Sequence, residues 1–456
     1  MVGVTGNEKR AAEIHMFEYR GKRLVYDVNS GSLHEVDEPA WEFIHLLHAG
    51  LPAERITAML SQRYPHSNVV EVQREIETLR EEKLLFSSPP AAVEQGPSGG
   101  RLKSLCLFIS RSCNLQCRYC FARSPGKENN GHMSRDVALK AVDLLLEQEG
   151  GRYCEIDFFG GEPLLNFPLV QEIVGYARTA GRRRGKEFTF TLTTNALLLG
   201  EEVAAFLNKE NLNVILSLDG RPAVHDRMRR TVLDTGSYDR VLPLIRNFLA
   251  GRGYNNYYIR GTYTAYNLDF CRDVEHLLEE GFHSLSLEPV VAAGEADYAL
   301  HRNDLRPLEQ EYDRLVELFL QRREAGRPFH FYHFGVDLEK GPCLYKRLSG
   351  CGAGREYLAV AADGSLYPCH QFVGTEAFCL GRLGDGPFEL DLQRGDQVAR
   401  SAAQREACPS CWARYLCGRG CAAVSHFLAG DLCRNDALYC ALQQIRLERA
   451  LYLQAV

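Results

Sequence analysis

From Ile14 the chain alternates apolar and polar positions in three short runs, IHMFEY, RLVYDV and SLHEV, parted by the turn signals RGK and NSG. That alternation predicts strands. The period then lengthens to helical spacing in EPAWEFIHLLHAG, AERITAMLSQRY and NVVEVQREIETLREEKLLF, which predicts three helices. Together these runs predict a small winged-helix-like unit over residues 11–86. SSPPAAVEQGPSGG is rich in Pro, Gly and Ser and has no apolar period, so residues 87–103 read as a linker. Beyond it SLCLFIS, CEIDFFG, FTFTLTTN, NVILSLDG, YYIRGTYT and SLSLEPV are expected as strands, apolar on both faces. Helical patterns such as RDVALKAVDLLLEQ and YDRVLPLIRNFLAG stand between them. This order predicts an α/β fold over residues 104–325: a parallel sheet covered by helices, with ligands at the carboxyl ends of the strands. From Cys343 onward the alternation fails, apolar runs shorten, and ten of the sixteen cysteines crowd into the remaining chain. Residues 326–456 are therefore expected to be held by metal more than by a large core.

Composition acts mainly by exclusion. At 456 residues the chain is too long for one small core, which predicts two to four domains. Apolar content of 45%, charged content of 25% and a net charge of -6 are ordinary for a globular protein and argue against a nucleic-acid partner. The basic run RRRGK, from Arg182, reads as a solvated loop. MVGVTGNEKRAAEIH lacks an apolar h-region, and no apolar run approaches the roughly 18 residues of a membrane span. A cytoplasmic location without membrane contact is expected. A disulfide framework does not belong there, so sixteen cysteines point to metal or redox chemistry.

CNLQCRYC places Cys113, Cys117 and Cys120 directly after the first strand of the repeating region. Chance gives this spacing about once in fifty such chains. Three thiolates on one tight loop suit three irons of a cubane cluster and leave the fourth iron open. With Tyr119 before its last cysteine, the loop resembles the signature of the radical S-adenosylmethionine (SAM) enzymes. Further motifs follow in that superfamily's order. GGEP (Gly160, Gly161, Glu162, Pro163) follows the second strand, TLTTN ends the third at Asn195, SLDG starts at Ser217 on the fourth, and RGTYT carries Arg260 on the fifth. The resemblance implies a partial (β/α)6 TIM-like barrel in which SAM binds the open iron. It also implies that GGEP holds the SAM amino group, through its backbone and Glu162, that Ser217 lies near the ribose and Arg260 near the carboxylate, and that Tyr119 and Asn195 complete the site. An electron from a ferredoxin- or flavodoxin-type donor would then cleave SAM to methionine and a 5'-deoxyadenosyl radical.

Downstream, CGAGREYLAVAADGSLYPC sets Cys351 and Cys369 around Gly364, CPSCWARYLCGRGC supplies Cys408, Cys411, Cys417 and Cys421, and DALYC adds Cys440. On spacing alone a structural zinc ribbon is the alternative. The whole pattern is similar to the SPASM extension of radical SAM peptide-modifying enzymes, which houses two auxiliary 4Fe-4S clusters, three clusters in all. Carried over by position, Cys351, Cys369 and Cys421 hold the first, and Cys408, Cys411, Cys417 and Cys440 the second, with Cys433 competing for the place of Cys440. The first set is one ligand short, and either Cys343 or a substrate thiolate completes it. Cys106, Cys154, Cys271 and Cys379 fall outside every pattern and read as core or surface thiols.

MFEYRGKRLVYDVNSGSLHEVDEPAWEFI resembles the start of the maturases of six-cysteine (SCIFF-type) thioether-cross-linked peptides. That resemblance implies that the amino-terminal unit captures the leader of a Cys-rich precursor peptide as a strand added to a sheet edge. The expected reaction joins a cysteine sulfur to a carbon of the same peptide. Two other readings stay open: another SPASM reaction, such as formylglycine formation or a carbon-carbon cross-link, and a non-enzymatic zinc-ribbon adaptor with a winged-helix domain.

Overall fold

The structure, a computed structural model, describes residues 13–89, 102–123, 131–148, 151–253, 255–292, 294–338, 350–384 and 390–456. Cys343, residues 11–12 of the first expected unit and residues 90–101 of the expected linker lie outside them.

The three amino-terminal strands form as expected. They are β1 (Ile14–Tyr19), β2 (Lys22–Asp27) and β3 (Leu33–Val36), in an antiparallel sheet with β2 at the centre. Arg20 and Gly21, at φ 48° and 79°, make the tight turn between β1 and β2 that the strand twist asks for. The helices α1 (Glu38–His48), α2 (Ala53–Leu60) and α3 (His66–Glu81) follow. Asp37 caps α1 by accepting the Ala40 N–H at 2.9 Å. Val25, Phe43, Ile44, Ile56 and Val69 fill the core beneath them.

The body is built on a ten-stranded sheet of order β10-β9-β8-β7-β6-β5-β4-β11-β12-β13. Its strands β4 (Ser104–Ser110), β5 (Tyr153–Gly160), β6 (Glu187–Thr194), β7 (Asn213–Ser217), β8 (Tyr257–Tyr263), β9 (Ser284–Pro289) and β10 (His330–Phe331) are parallel neighbours in chain order. Between them run α4 (Arg135–Leu146), α5 (Phe167–Arg183), α6 (Glu201–Lys209), α7 (Pro222–Met228), α8 (Tyr238–Ala250), α9 (Cys271–Glu279) and α10 (Leu305–Glu324). This is an α/β fold with a parallel sheet, the architecture of a partial barrel.

Two expectations need correction. The strands are not uniformly apolar on both faces. β4 is buried at every position, whereas β5 buries Cys154, Ile156 and Phe158 and leaves Glu155, Asp157 and Phe159 on the other, more open face. The buried face carries Ile156 and Phe158 into the main core, and Phe159 on the other face lines the central cavity. Nor is the cysteine-rich segment independent of the main core. β11 (Tyr357–Val360) adds in parallel to β4, and β12 (Ser365–Tyr367) and β13 (Gly381–Arg382) extend the sheet in antiparallel fashion. After α11 (Leu392–Ser401) and α12 (Ala422–Ala429), the last helix α13 (Ala437–Gln454) packs on α10. Leu358, Val360, Leu366, Leu442 and Leu451 join the same core as the barrel residues. A four-residue strand buried on both faces offers no period to read.

The amino-terminal unit is docked on this body. His15 stacks on Trp412 with ring centroids 3.9 Å apart, the Tyr19 hydroxyl donates to Asp313 Oδ1 at 2.8 Å, and Arg414 Nη2 donates to Asn29 Oδ1 at 2.7 Å. Among the described residues no helix is long and apolar enough to cross a membrane.

Candidate active site

The carboxyl ends of the barrel strands open on a cavity of about 210 Å3. Cys113, Cys117 and Cys120 all line it, on the loop that leaves β4. The loop lies close against the end of β5, because Gly161 N donates to Ser110 O at 2.7 Å and Glu162 N to Ser112 O at 2.9 Å. Only glycine permits this approach. A Cβ at Gly160, whose φ is +132°, would stand 2.2 Å from Ser110 O, and one at Gly161 would stand 2.4 Å from Ser112 O. GGEP thus works first as a backbone seat for the cysteine loop.

Tyr119, Gly160, Gly161, Asn195, Ser217 and Arg260 line the same cavity, so six of the eight expected SAM contacts meet in one place. Asn195 Nδ2 approaches Cys113 Sγ at 3.6 Å and donates to Asn114 Oδ1 at 2.7 Å, tying the end of β6 to the loop. Glu162 and Pro163 stand back from the cavity wall. Pro163 is buried at the start of a helical turn. The Glu162 carboxylate is fully buried and accepts from Leu164 N at 3.1 Å, from the Thr194 hydroxyl at 2.8 Å and from Asn195 N at 2.8 Å. Burial pushes this carboxyl up to about 7, while the three donors pull against it.

Four further side chains at the cavity were not singled out by sequence reasoning. Asp219, the acid of SLDG, is fully buried beside it, and its Oδ1 accepts from Arg229 Nε and from Thr262 N, each at 3.0 Å. The Tyr119 hydroxyl donates to its other oxygen. Arg229 lines the cavity, and nothing in the run HDRMRR marked it out. His370, which follows Cys369, also lines the cavity; its Nδ1 lies 3.2 Å from the Tyr357 hydroxyl, and burial lowers it to about 4, so the imidazole is neutral. Glu288, at the end of β9, accepts from the Ser286 hydroxyl at 3.1 Å and stands 3.0 Å from His333 Nε2.

Two of the thiols at the cavity, those of Cys113 and Cys117, favour the protonated form. Burial pushes Cys113 up to about 12 and Cys117 to about 11. A metal reverses that preference, since a coordinated thiol gives up its proton. The downstream cysteines fall into two neighbourhoods. Cys369 feels Cys351 and Cys421, whereas Cys417 feels Cys408, Cys411 and Cys440. Cys433 stands apart, its sulfur 3.3 Å from Gln404 Oε1. Among the described residues no three His, Cys, Asp or Glu side chains are grouped as ligands of one metal ion. A cubane makes a different demand, since each cysteine meets its own iron, and sets of neighbouring thiols on tight loops fit that group.

A sequence profile of the radical SAM superfamily matches residues 107–250. The uncharacterized protein MJ0907 of Methanocaldococcus jannaschii is 31% identical over 291 residues, 62% of this chain and 90% of that one. A cysteine-type anaerobic sulfatase-maturating enzyme of Clostridium perfringens (strain 13 / Type A) is 27% identical over 68% of this chain and 86% of its own. Among solved structures, native anSMEcpe with bound AdoMet and Kp18Cys peptide superposes with a TM-score of 0.65 at 23% identity, covering 78% of this chain and 99% of that one.

Proposed function

Because the chain belongs to the radical SAM superfamily, we propose that it is a peptide maturase that joins a cysteine sulfur to a carbon of a Cys-rich precursor peptide. The observation that carries this reading is the pairing of a three-cysteine loop on the barrel cavity with a second group of neighbouring cysteines, Cys351, Cys369 and Cys421, downstream. Cys113, Cys117 and Cys120 would hold the SAM-binding 4Fe-4S cluster. When bound, that cluster and SAM supply a 5'-deoxyadenosyl radical. Gly160, Gly161, Asn195, Ser217 and Arg260 would bind and orient SAM, while Glu162 and Pro163 would fix the GGEP backbone from behind. Tyr119 would close the cavity against water.

Residues 326–456 would be the SPASM region, with two auxiliary clusters. Cys408, Cys411, Cys417 and Cys440 would hold one, and the placement of Cys433 beside Gln404 favours Cys440 over it. Cys351, Cys369 and Cys421 would hold the other, completed by Cys343 or by a thiolate of the peptide. Residues 11–86 would receive the leader. β3 pairs only with β2 among the described residues, and beside it lies a groove of about 680 Å3 lined by Leu33, Glu35, Val336, Asp337 and Gln454. A strand added there would gain main-chain hydrogen bonds. The electron would come from a ferredoxin- or flavodoxin-type partner.

In net terms the peptide loses one C–H and one S–H hydrogen and gains a C–S bond. Anaerobic incubation with reductant, SAM and a Cys-rich peptide should therefore give deoxyadenosine and a peptide lighter by two hydrogens. Deoxyadenosine with an unchanged peptide mass would refute the thioether reaction. The similarity to a sulfatase-maturating enzyme favours formylglycine formation as the second reading, and that product would have lost its cysteine sulfur.

A further inference from the structure

The cysteine loop is clamped by a segment far away in the chain. Leu115 and Thr231 form an antiparallel bridge, Gln116 N donates to Arg230 O at 2.7 Å, and Arg118 N donates to Met228 O at 2.9 Å. Successive side chains of an extended segment face opposite ways, and Arg229, between two paired residues, turns inward. Its side chain is only 11% exposed, yet it lines the cavity. Its guanidinium donates to Asp219 Oδ1 at 3.0 Å, lies 5.4 Å from the centroid of the Tyr119 ring, and shares the cavity wall with Cys117.

Asp219 gathers the rest. One carboxylate receives Arg229, the Thr262 N–H at the end of β8 and the hydroxyl of Tyr119, the residue just before Cys120. A buried ion pair costs several kcal/mol in desolvation and is weak support for stability on its own. Here it fixes geometry, because a turn carrying two of the three cysteines hangs from it.

We propose that Arg229, fixed by Asp219, is a positioning residue that holds the Cys117–Cys120 turn and places a permanent positive charge beside Cys117, raising the reduction potential of the SAM-binding cluster. Reduction adds negative charge to a cluster, and a cation held in a dry site favours the reduced form. The inference rests on the reading that Cys113, Cys117 and Cys120 hold that cluster.

The test is an anaerobic redox titration of the reconstituted protein, following the EPR signal that changes when SAM is added. R229Q should shift the midpoint of that signal to a more negative potential in the fraction of protein that holds the cluster, and R229K, which keeps the charge but loses the planar fork, should stay near the wild-type midpoint. D219N, which loosens the guanidinium and the tyrosine together, should weaken SAM binding several-fold. A wild-type midpoint in R229Q would overturn the proposal. Should R229Q fail to fold, R229K decides: a midpoint shifted well below wild type would show that charge is not the determinant. If the wild type itself gives no SAM-responsive signal, the cluster assignment has failed first, and the inference falls with it.

Discussion

At Glu162 two demands compete within one side chain. Burial favours the neutral acid, whereas three donors favour the carboxylate, and the balance leaves the group at about 7. A carboxyl raised in the folded state contributes stability that is fully present below its unfolded value and is lost as the pH climbs through the folded one. Glu162→Gln removes that dependence, and it also leaves Asn195 N–H facing an amide, at a cost of about 1–3 kcal/mol. The deficit of E162Q relative to wild type should therefore be largest near pH 5 and shrink by up to roughly 3 kcal/mol toward pH 8. Thermal unfolding across that range checks it, and a deficit independent of pH would contradict the assignment. GGEP made Glu162 legible in the sequence. That its carboxylate staples β5 to β6 was not, because the staple partners Thr194 and Asn195 are brought to it only by the parallel pairing of those strands.

Among the elements, the seat of the cysteine loop is the most exacting. At Gly161 a Cβ would meet the backbone oxygens of Ser112 and Arg111 at 2.4 Å and 2.7 Å, and neither can swing aside. Gly161→Ala should cost about 1–3 kcal/mol and lower the iron held by the three-cysteine loop. Gly175→Ala is the control, since Gly175 lies in α5 with nothing within 4 Å of its would-be Cβ. It should gain up to about 1 kcal/mol. Unfolding midpoints and iron content of the two variants report both effects, and equal behaviour would refute the role of Gly161. IHMFEY and YDRVLPLIRNFLAG were legible because they carry clear periods, and SLCLFIS because it is a continuous apolar run of strand length. β11 was not, since its four residues are too short to show one, and its place beside β4 is a long-range pairing. The clamp from Met228 to Thr231 was invisible for the same reason.

Across the whole molecule, the cysteine patterns and the order of GGEP, TLTTN and SLDG at successive strand ends were readable from the chain, and the cavity collects most of those motifs. The docking of the amino-terminal unit was not. It depends on single residues such as His15, Trp412 and Arg414, none of which carries a periodic or motif signal. The sequence suggested a unit presented on a tether; the stacked and hydrogen-bonded contact with the cysteine-rich segment instead places the groove beside β3 at a set position on the body. A peptide bound there would run to the cavity from a fixed origin. On the proposed function, Cys113, Cys117 and Cys120 would form the centre at which SAM is cleaved, separate from the downstream cysteines. The direct measurement compares wild type with the variant carrying Cys113→Ala, Cys117→Ala and Cys120→Ala, following deoxyadenosine formed under anaerobic reduction alongside iron per chain. Wild type should form deoxyadenosine with about twelve irons, and the variant should form none while keeping about eight. Deoxyadenosine from the variant would exclude these three cysteines as the centre of SAM cleavage.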